Sequence, residues 1–151
     1  MQNIKIYMDV CCLNRPFDDQ SQDRIYLEAE AVLTILTHCQ KSELTLTSSD
    51  MIDYELSRLT NSVKLQKIRS MYSIAGERIT VTQEVKGLSR IFQQNGVKLL
   101  DSLHLALCEA YSRDILLTTD DNFIRTTAKL KINTRIANPV TWLMEVMINE
   151  R

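Results

Sequence analysis

Apolar and polar positions alternate at the start of the chain: Ile4, Ile6 and Met8 are separated by Lys5 and Tyr7, a pattern that predicts a short strand ending at Asp9. A loop through Asn14-Arg15-Pro16-Phe17-Asp18-Asp19 follows. Ile25, Val32, Ile35, Leu36 and Cys39 then recur at helical spacing between Ser21 and Lys41. Leu44 to Ser48 reads as a second strand. Ser49 or Asp50 caps a helix that carries Ile52, Glu55, Leu56 and Leu59. A helix from Ser62 to Ala75 places Leu65, Ile68 and Tyr72 inward and Lys64, Lys67 and Arg69 outward, and is expected to stop at Gly76.

Further on, Arg78 to Thr82 is a β-branched strand, and a helix runs from Gln83 to Gln94 before Asn95-Gly96. The helix from Leu99 to Ser112 puts Leu100, Leu103, Leu107 and Tyr111 on one face. Ile115 to Thr118 is an apolar strand, Asp121 to Lys131 a short helix, and Thr134 to Ala137 the last strand. Pro139 opens a terminal helix, where its missing N–H costs little. Strands alternating with helices, most of them apolar, imply a mostly parallel sheet of about five strands covered on both faces. Ligands in such sheets gather at the carboxyl ends of the strands.

Composition changes this picture little. The 151 residues, 44% hydrophobic and 25% charged, suit one domain, and the three glycines and two prolines favour long helices. No apolar run is long enough to span a bilayer, and the N-terminal residues lack a signal core, so a cytoplasmic protein is expected. The four cysteines form no CxxC pair, and with two histidines no structural zinc site is expected; reduced thiols are the reading. A net charge of −1 argues against broad, charge-driven binding to nucleic acid, though not against a nuclease with an acidic centre.

The candidate chemistry is acidic. Asp9 follows the first strand and Asp120 follows the Ile115–Thr118 strand, both at carboxyl ends. Asp101 lies in the first turn of an apolar helix, and Glu55 beside the apolar stripe of its own helix. Singly, each has an ordinary explanation: a turn or cap for Asp9 and Asp120, a dipole interaction for Asp101, a solvated position for Glu55. Together they describe converging carboxylates, which a hard cation neutralises; oxygen donors favour Mg²⁺ or Mn²⁺, and the chemistry is phosphodiester hydrolysis by metal-activated water. His104, one turn after Asp101, reads first as a structural histidine, with an Asp101–His104 hydrogen bond as the alternative.

These residues resemble the PIN domain family. The resemblance rests on Ile6-Tyr-Met-Asp9, on Ser49 with Glu55-Leu56, on Leu100-Asp101 with His104 and Ala106, and on Leu117-Thr-Thr-Asp120-Asp-Asn-Phe123, and extends to Asn138-Pro139. It implies a three-layer α/β/α fold over residues 1–151 and a Mg²⁺- or Mn²⁺-dependent endoribonuclease, VapC-like, acting on RNA as a homodimer with an antitoxin partner. Asp9, Glu55, Asp101 and Asp120 would be its catalytic carboxylates, with Asp9, Asp101 and Asp120 holding metal. Thr119, Asn122 and Asn14 would support them, and Arg15 would grip substrate phosphate. Val10 and Cys11 stand where the family has small hydroxyl residues, and Asn122 where it often has an acid, which favours one metal over two. A haloacid-dehalogenase phosphatase would need a second Asp at position 11, which is Cys, and the acidic pair of a response-regulator receiver is not matched convincingly. A PIN-like interaction module without activity is the remaining alternative. The apolar positions Met144, Val146, Met147 and Ile148 read as a core stripe, with a partner face as the second reading.

Overall fold

The computed structural model describes residues 3–149. Strand β1 (Ile4–Met8) is central, with Ile6, Tyr7 and Met8 all fully buried. Tyr7 is therefore not a solvent-facing residue of an alternating strand; both faces of β1 are covered. After it come helix α1 (Val10–Asn14) and a 3-10 turn (Arg15–Phe17), where the sequence pattern suggested a plain loop. Asp9 turns this segment helical by capping α1.

Helix α2 (Asp23–Gln40), strand β2 (Leu44–Ser49), helix α3 (Asp50–Ser57) and helix α4 (Ser62–Tyr72) follow, with Ser49 as the cap of α3. Helix α4 stops at Tyr72, where Ser73 N–H bonds to the carbonyls of Arg69 and Ser70, ahead of Gly76. Gly76 instead donates its N–H to the Leu46 carbonyl at 2.9 Å, leading into strand β3 (Glu77–Ile79). Helix α5 (Gln83–Gln94) is capped by Thr82 and followed by Gly96 at φ 93°, a left-handed turn suited to glycine.

Helix α6 (Leu99–Ala110) packs on α5 and buries His104, Leu105, Ala106, Leu107 and Cys108. Of the face expected to be inward, Leu107 is buried and Leu103 and Tyr111 pack against the core, while Leu100 is exposed. Strand β4 (Ile115–Leu117), helix α7 (Asp121–Thr127), strand β5 (Arg135–Ala137) and helix α8 (Pro139–Asn149) complete the chain. Trp142 of α8 is buried and Met144 and Met147 are exposed, while the side chain of Ile148 lies outside the described residues. No helix is long and apolar enough to cross a membrane among the described residues.

All strand pairs are parallel, in the order β3-β2-β1-β4-β5, flanked by helices in a three-layer α/β/α arrangement. The chain moves from β1 through β2 to β3 on one side, then crosses to β4 and β5 on the other. The sheet therefore has a switch point between β1 and β4, the position where an open parallel sheet leaves a crevice at its carboxyl edge. Asp9 and Asp120 leave the sheet at this edge. Cys12, Cys39 and Cys108 are buried and Cys11 half-buried, all four as free thiols.

Candidate metal centre

Asp9 directly follows β1, and its N–H bonds to the Leu117 carbonyl of β4 at 3.2 Å, tying the two strand ends together. Its side chain is buried, and Oδ1 accepts from Cys12 N–H at 3.2 Å and from the Cys11 thiol at 2.7 Å. Asp120 caps α7 in the same way, with Oδ1 accepting from Asn122 N–H at 2.9 Å and Phe123 N–H at 3.3 Å. Both carboxylates serve as caps, and in both the capping bonds fall on Oδ1, leaving Oδ2 outside them. Asp101 is half-buried in the first turn of α6, and Glu55 comes from the last turn of α3.

The charges bear on one another. Burial pushes the Asp9 carboxyl well above the usual range, and the Cys11 sulfur adds to the effect. Asp101 is raised first by burial and then by the negative charge of Asp120, with Glu55 and Cys11 acting in the same direction and His104 opposing them. The nearest guanidinium groups are committed elsewhere: Arg15 to Glu28 and Asp18, Arg24 to Glu28 and Asp121. A buried Asp9 and a half-buried Asp101 that feels the charges of Asp120 and Glu55, with Arg15 and Arg24 already paired, form a donor set that suits a hard divalent cation. The tightest grouping of possible metal ligands among the described residues is Asp9, Cys11 and Cys12, whose ligand atoms lie within 4.8 Å of one another. The four carboxylates as a set stand wider than that, and Cys11 brings a softer atom to the edge of the cluster.

Other residues expected at the site have distinct positions. Asn14 ends α1, and its Oδ1 is the one buried side-chain polar atom without a hydrogen-bond partner among the described residues. Asn122 is exposed and lines a small depression with Asp101, Lys98 and Phe123. Thr119 is buried; its N–H reaches the Cys11 sulfur at 3.4 Å and its carbonyl accepts from Arg24 at 3.1 Å. The hydroxyl that joins the two strand ends is that of Thr118, which accepts from Asp120 N–H at 3.1 Å and lies 3.5 Å from the Cys11 sulfur. Arg15 has the geometry of a structural tie: Nε donates to Glu28 at 2.7 Å and Nη1 to Asp18 at 3.0 Å. Lys64 also pairs with Asp18, at 3.2 Å.

His104 does not bond to Asp101. Its Nε2 contacts the Glu55 carboxylate, and its Nδ1 lies 2.5 Å from the Tyr7 hydroxyl, which in turn lies 2.8 Å from Ser49 Oγ. No local pattern signals the link of Tyr7 to His104, which lie 97 positions apart. A groove of about 440 Å³ is lined by Met51, Tyr54, Val81, Leu99 and Leu103 among others, and contains none of the four carboxylates.

No family model matches the sequence, and no curated protein matches it. Solved structures do resemble the fold. One is VapBC2 from Rickettsia felis bound to a DNA fragment from their promoter: it shares 14% identity at a TM-score of 0.57, over 89% of this chain and 98% of that one. PAE2754 from Pyrobaculum aerophilum is similar at 13% identity and a TM-score of 0.57, over 96% of this chain and 90% of that one. At such identities the likeness is one of fold: the five parallel strands and flanking helices of this chain make a three-layer α/β/α, PIN-like fold.

Proposed function

We propose that the protein is a metal-dependent endoribonuclease that hydrolyses RNA phosphodiester bonds, with Asp9, Asp101 and Asp120 holding Mg²⁺ or Mn²⁺ and Glu55 completing the carboxylate set. The observation behind this reading is the electrostatic coupling of Asp101 to Asp120 and Glu55, beside a switch point flanked by Asp9 and Asp120. When bound, the cation supplies Lewis acidity, lowering the pKa of a coordinated water and offsetting charge on the phosphoryl oxygens.

The chain's own residues perform the rest. Cys11 and Cys12 fix the rotamer of Asp9, and Thr118 holds the Asp120 backbone against the end of β4. Asn14 offers its unpartnered Oδ1, and Asn122 lies at the rim beside Asp101. Thr119 supports through its backbone contacts. RNA as substrate follows from the PIN resemblance of the motifs, as does a cytoplasmic site of action. The PIN resemblance of the motifs implies an antitoxin partner and a homodimer, and the likeness in fold to VapBC2 supports the first of these.

Calorimetric titration of Mn²⁺ into the wild type and into Asp9→Asn, Asp101→Asn and Asp120→Asn tests this reading. Binding by the wild type that is lost or strongly weakened in all three folded variants is the expected result. A wild type that binds no Mn²⁺ at millimolar concentration would instead make the chain an inactive PIN-like interaction module.

A further inference from the structure

The hydrogen bonds around His104 form a ring that closes through helix α3. Ser49 caps this helix, its Oγ accepting from Ile52 N–H at 3.1 Å. The Ser49 hydroxyl meets Tyr7 at 2.8 Å, Tyr7 meets His104 Nδ1 at 2.5 Å, and His104 Nε2 meets Glu55, back on the same helix one turn and a half further on. Three elements therefore contribute: α3 and its cap, β1 through Tyr7, and α6 through His104.

Only one proton arrangement satisfies every member with a neutral imidazole and an ionised Glu55. An ionised Glu55 can only accept, so Nε2–H donates to it; Nδ1 then takes the Tyr7 hydrogen, and the Tyr7 oxygen is left to accept from the Ser49 hydroxyl, whose oxygen also accepts from Ile52 N–H. A chain of donors running in one direction polarises each bond along it. Tyr7 is fully buried and the His104 side chain 2% exposed, whereas the Glu55 side chain is 24% exposed. The ring is thus sealed except at Glu55, which is its single outlet toward the site. Asp101 lies three residues before His104 on α6 and feels the Glu55 charge, so the outlet opens beside the carboxylate cluster.

We infer that Tyr7 and His104 are positioning residues, which lock the rotation of α3 and aim the Glu55 carboxylate at the metal centre. This inference rests on the proposed metal centre. It explains why a polar pair is built into the buried end of β1 and the buried face of α6, where apolar residues would otherwise be expected. Partners that orient a ligating carboxylate change metal affinity or activity by about 10- to 100-fold when they are removed.

The test combines Mn²⁺ titration with ¹⁵N NMR of the imidazoles in the wild type, Tyr7→Phe, His104→Gln, His104→Leu and Glu55→Gln, each checked for folding by circular dichroism. The chain has two histidines, so a His38→Gln background leaves His104 alone in the spectrum. The expected outcome is Mn²⁺ binding weakened about 10- to 100-fold in His104→Leu. It should be restored toward wild type in His104→Gln, whose amide still donates to Glu55. The ring should be an Nε2–H tautomer that changes in Glu55→Gln and Tyr7→Phe. A merely structural histidine would lower thermal stability in both His104 variants while leaving Mn²⁺ affinity unchanged, and that result would overturn the inference. Should the wild type bind no Mn²⁺, the metal centre falls, and with it the aiming of Glu55. The tautomer would then still decide the ring itself: an imidazole whose tautomer is indifferent to both Glu55→Gln and Tyr7→Phe refutes it.

Discussion

Asp9 and Asp120 leave the carboxyl ends of the paired strands β1 and β4, and each caps the helix that follows with its Oδ1 atom. The proposed metal centre would combine capping and metal binding in one side chain, and the two roles separate by substitution. Asparagine keeps a carbonyl oxygen for the cap and removes the charge. Asp120→Ala should lose about 1 kcal/mol of stability through the missing cap, while Asp120→Asn stays near wild type. Urea denaturation in EDTA measures both. Equal losses in the two variants would mean that the charge, rather than the capping acceptor, stabilises the turn.

The raised carboxylates give the metal-free protein a characteristic pH response. Asp9 and Asp101 both hold their protons more tightly when folded than the ordinary value of 3.8. The folded state then binds protons that the unfolded chain releases, so stability falls as pH rises from that value through the raised ones, and levels off above them. Glu77, Asp121 and Glu145 are lowered, chiefly by bonds to Arg113, Arg24 and Arg135, and act in the opposite sense, their contribution disappearing as pH falls through the lowered values. Melting temperatures in EDTA should thus slope downward with rising pH in the wild type, and less so in Asp9→Asn and Asp101→Asn. Parallel slopes in all three proteins would contradict the assignment.

Glu28 is 1% exposed and accepts from Arg15 at 2.7 Å, Arg24 at 3.1 Å and Asn138 at 2.6 Å, joining α2, the 3-10 turn and the entry to α8. Glu28→Gln should cost on the order of 2 kcal/mol, because charge-assisted bonds are lost and Arg15 is left without its main partner. Arg15→Ala should likewise lower the denaturation midpoint, with Mn²⁺ affinity and RNA cleavage per folded molecule unchanged. Loss of RNA binding with Mn²⁺ binding intact would show Arg15 to be a phosphate contact instead.

Among the four free thiols, Cys11 alone is not buried. Iodoacetamide under native conditions should add one group, at Cys11, as read by intact mass and peptide mapping. Cys11→Ser should take up none and should keep Mn²⁺ binding, since a hydroxyl can replace the thiol as donor to Asp9. Modification spread over Cys12, Cys39 or Cys108 would mean that the segment after β1 opens readily.

Periodicity and caps made most of the fold legible. Helix α5 falls between Thr82 and Asn95-Gly96 as expected because both ends carry strong local signals, a capping hydroxyl and a left-handed glycine. The carboxylates were legible for a related reason, since strand ends are local features and Asp9 and Asp120 sit on them. Where several elements meet, local pattern failed. Leu100 in the stripe of α6 reads as core, yet α5 and the sheet close on the side of Leu105 and Cys108, and leave Leu100 exposed and Leu99 in the open groove. Tyr7 looked like the polar partner of an alternating strand, but β1 is covered on both sides and the hydroxyl finds His104 across the fold. Arg15 sat near Asp9 in sequence, while Glu28 on the neighbouring helix claims its guanidinium.

Cleavage of total cellular RNA by the wild type and by Asp101→Asn, each with Mn²⁺ and with EDTA, tests the ribonuclease reading most directly. Fragments should form only with wild type and Mn²⁺, and should carry the defined ends of hydrolysis at phosphodiester bonds. Intact RNA in the presence of Mn²⁺-loaded wild type, or cleavage that persists in EDTA or in Asp101→Asn, would contradict it.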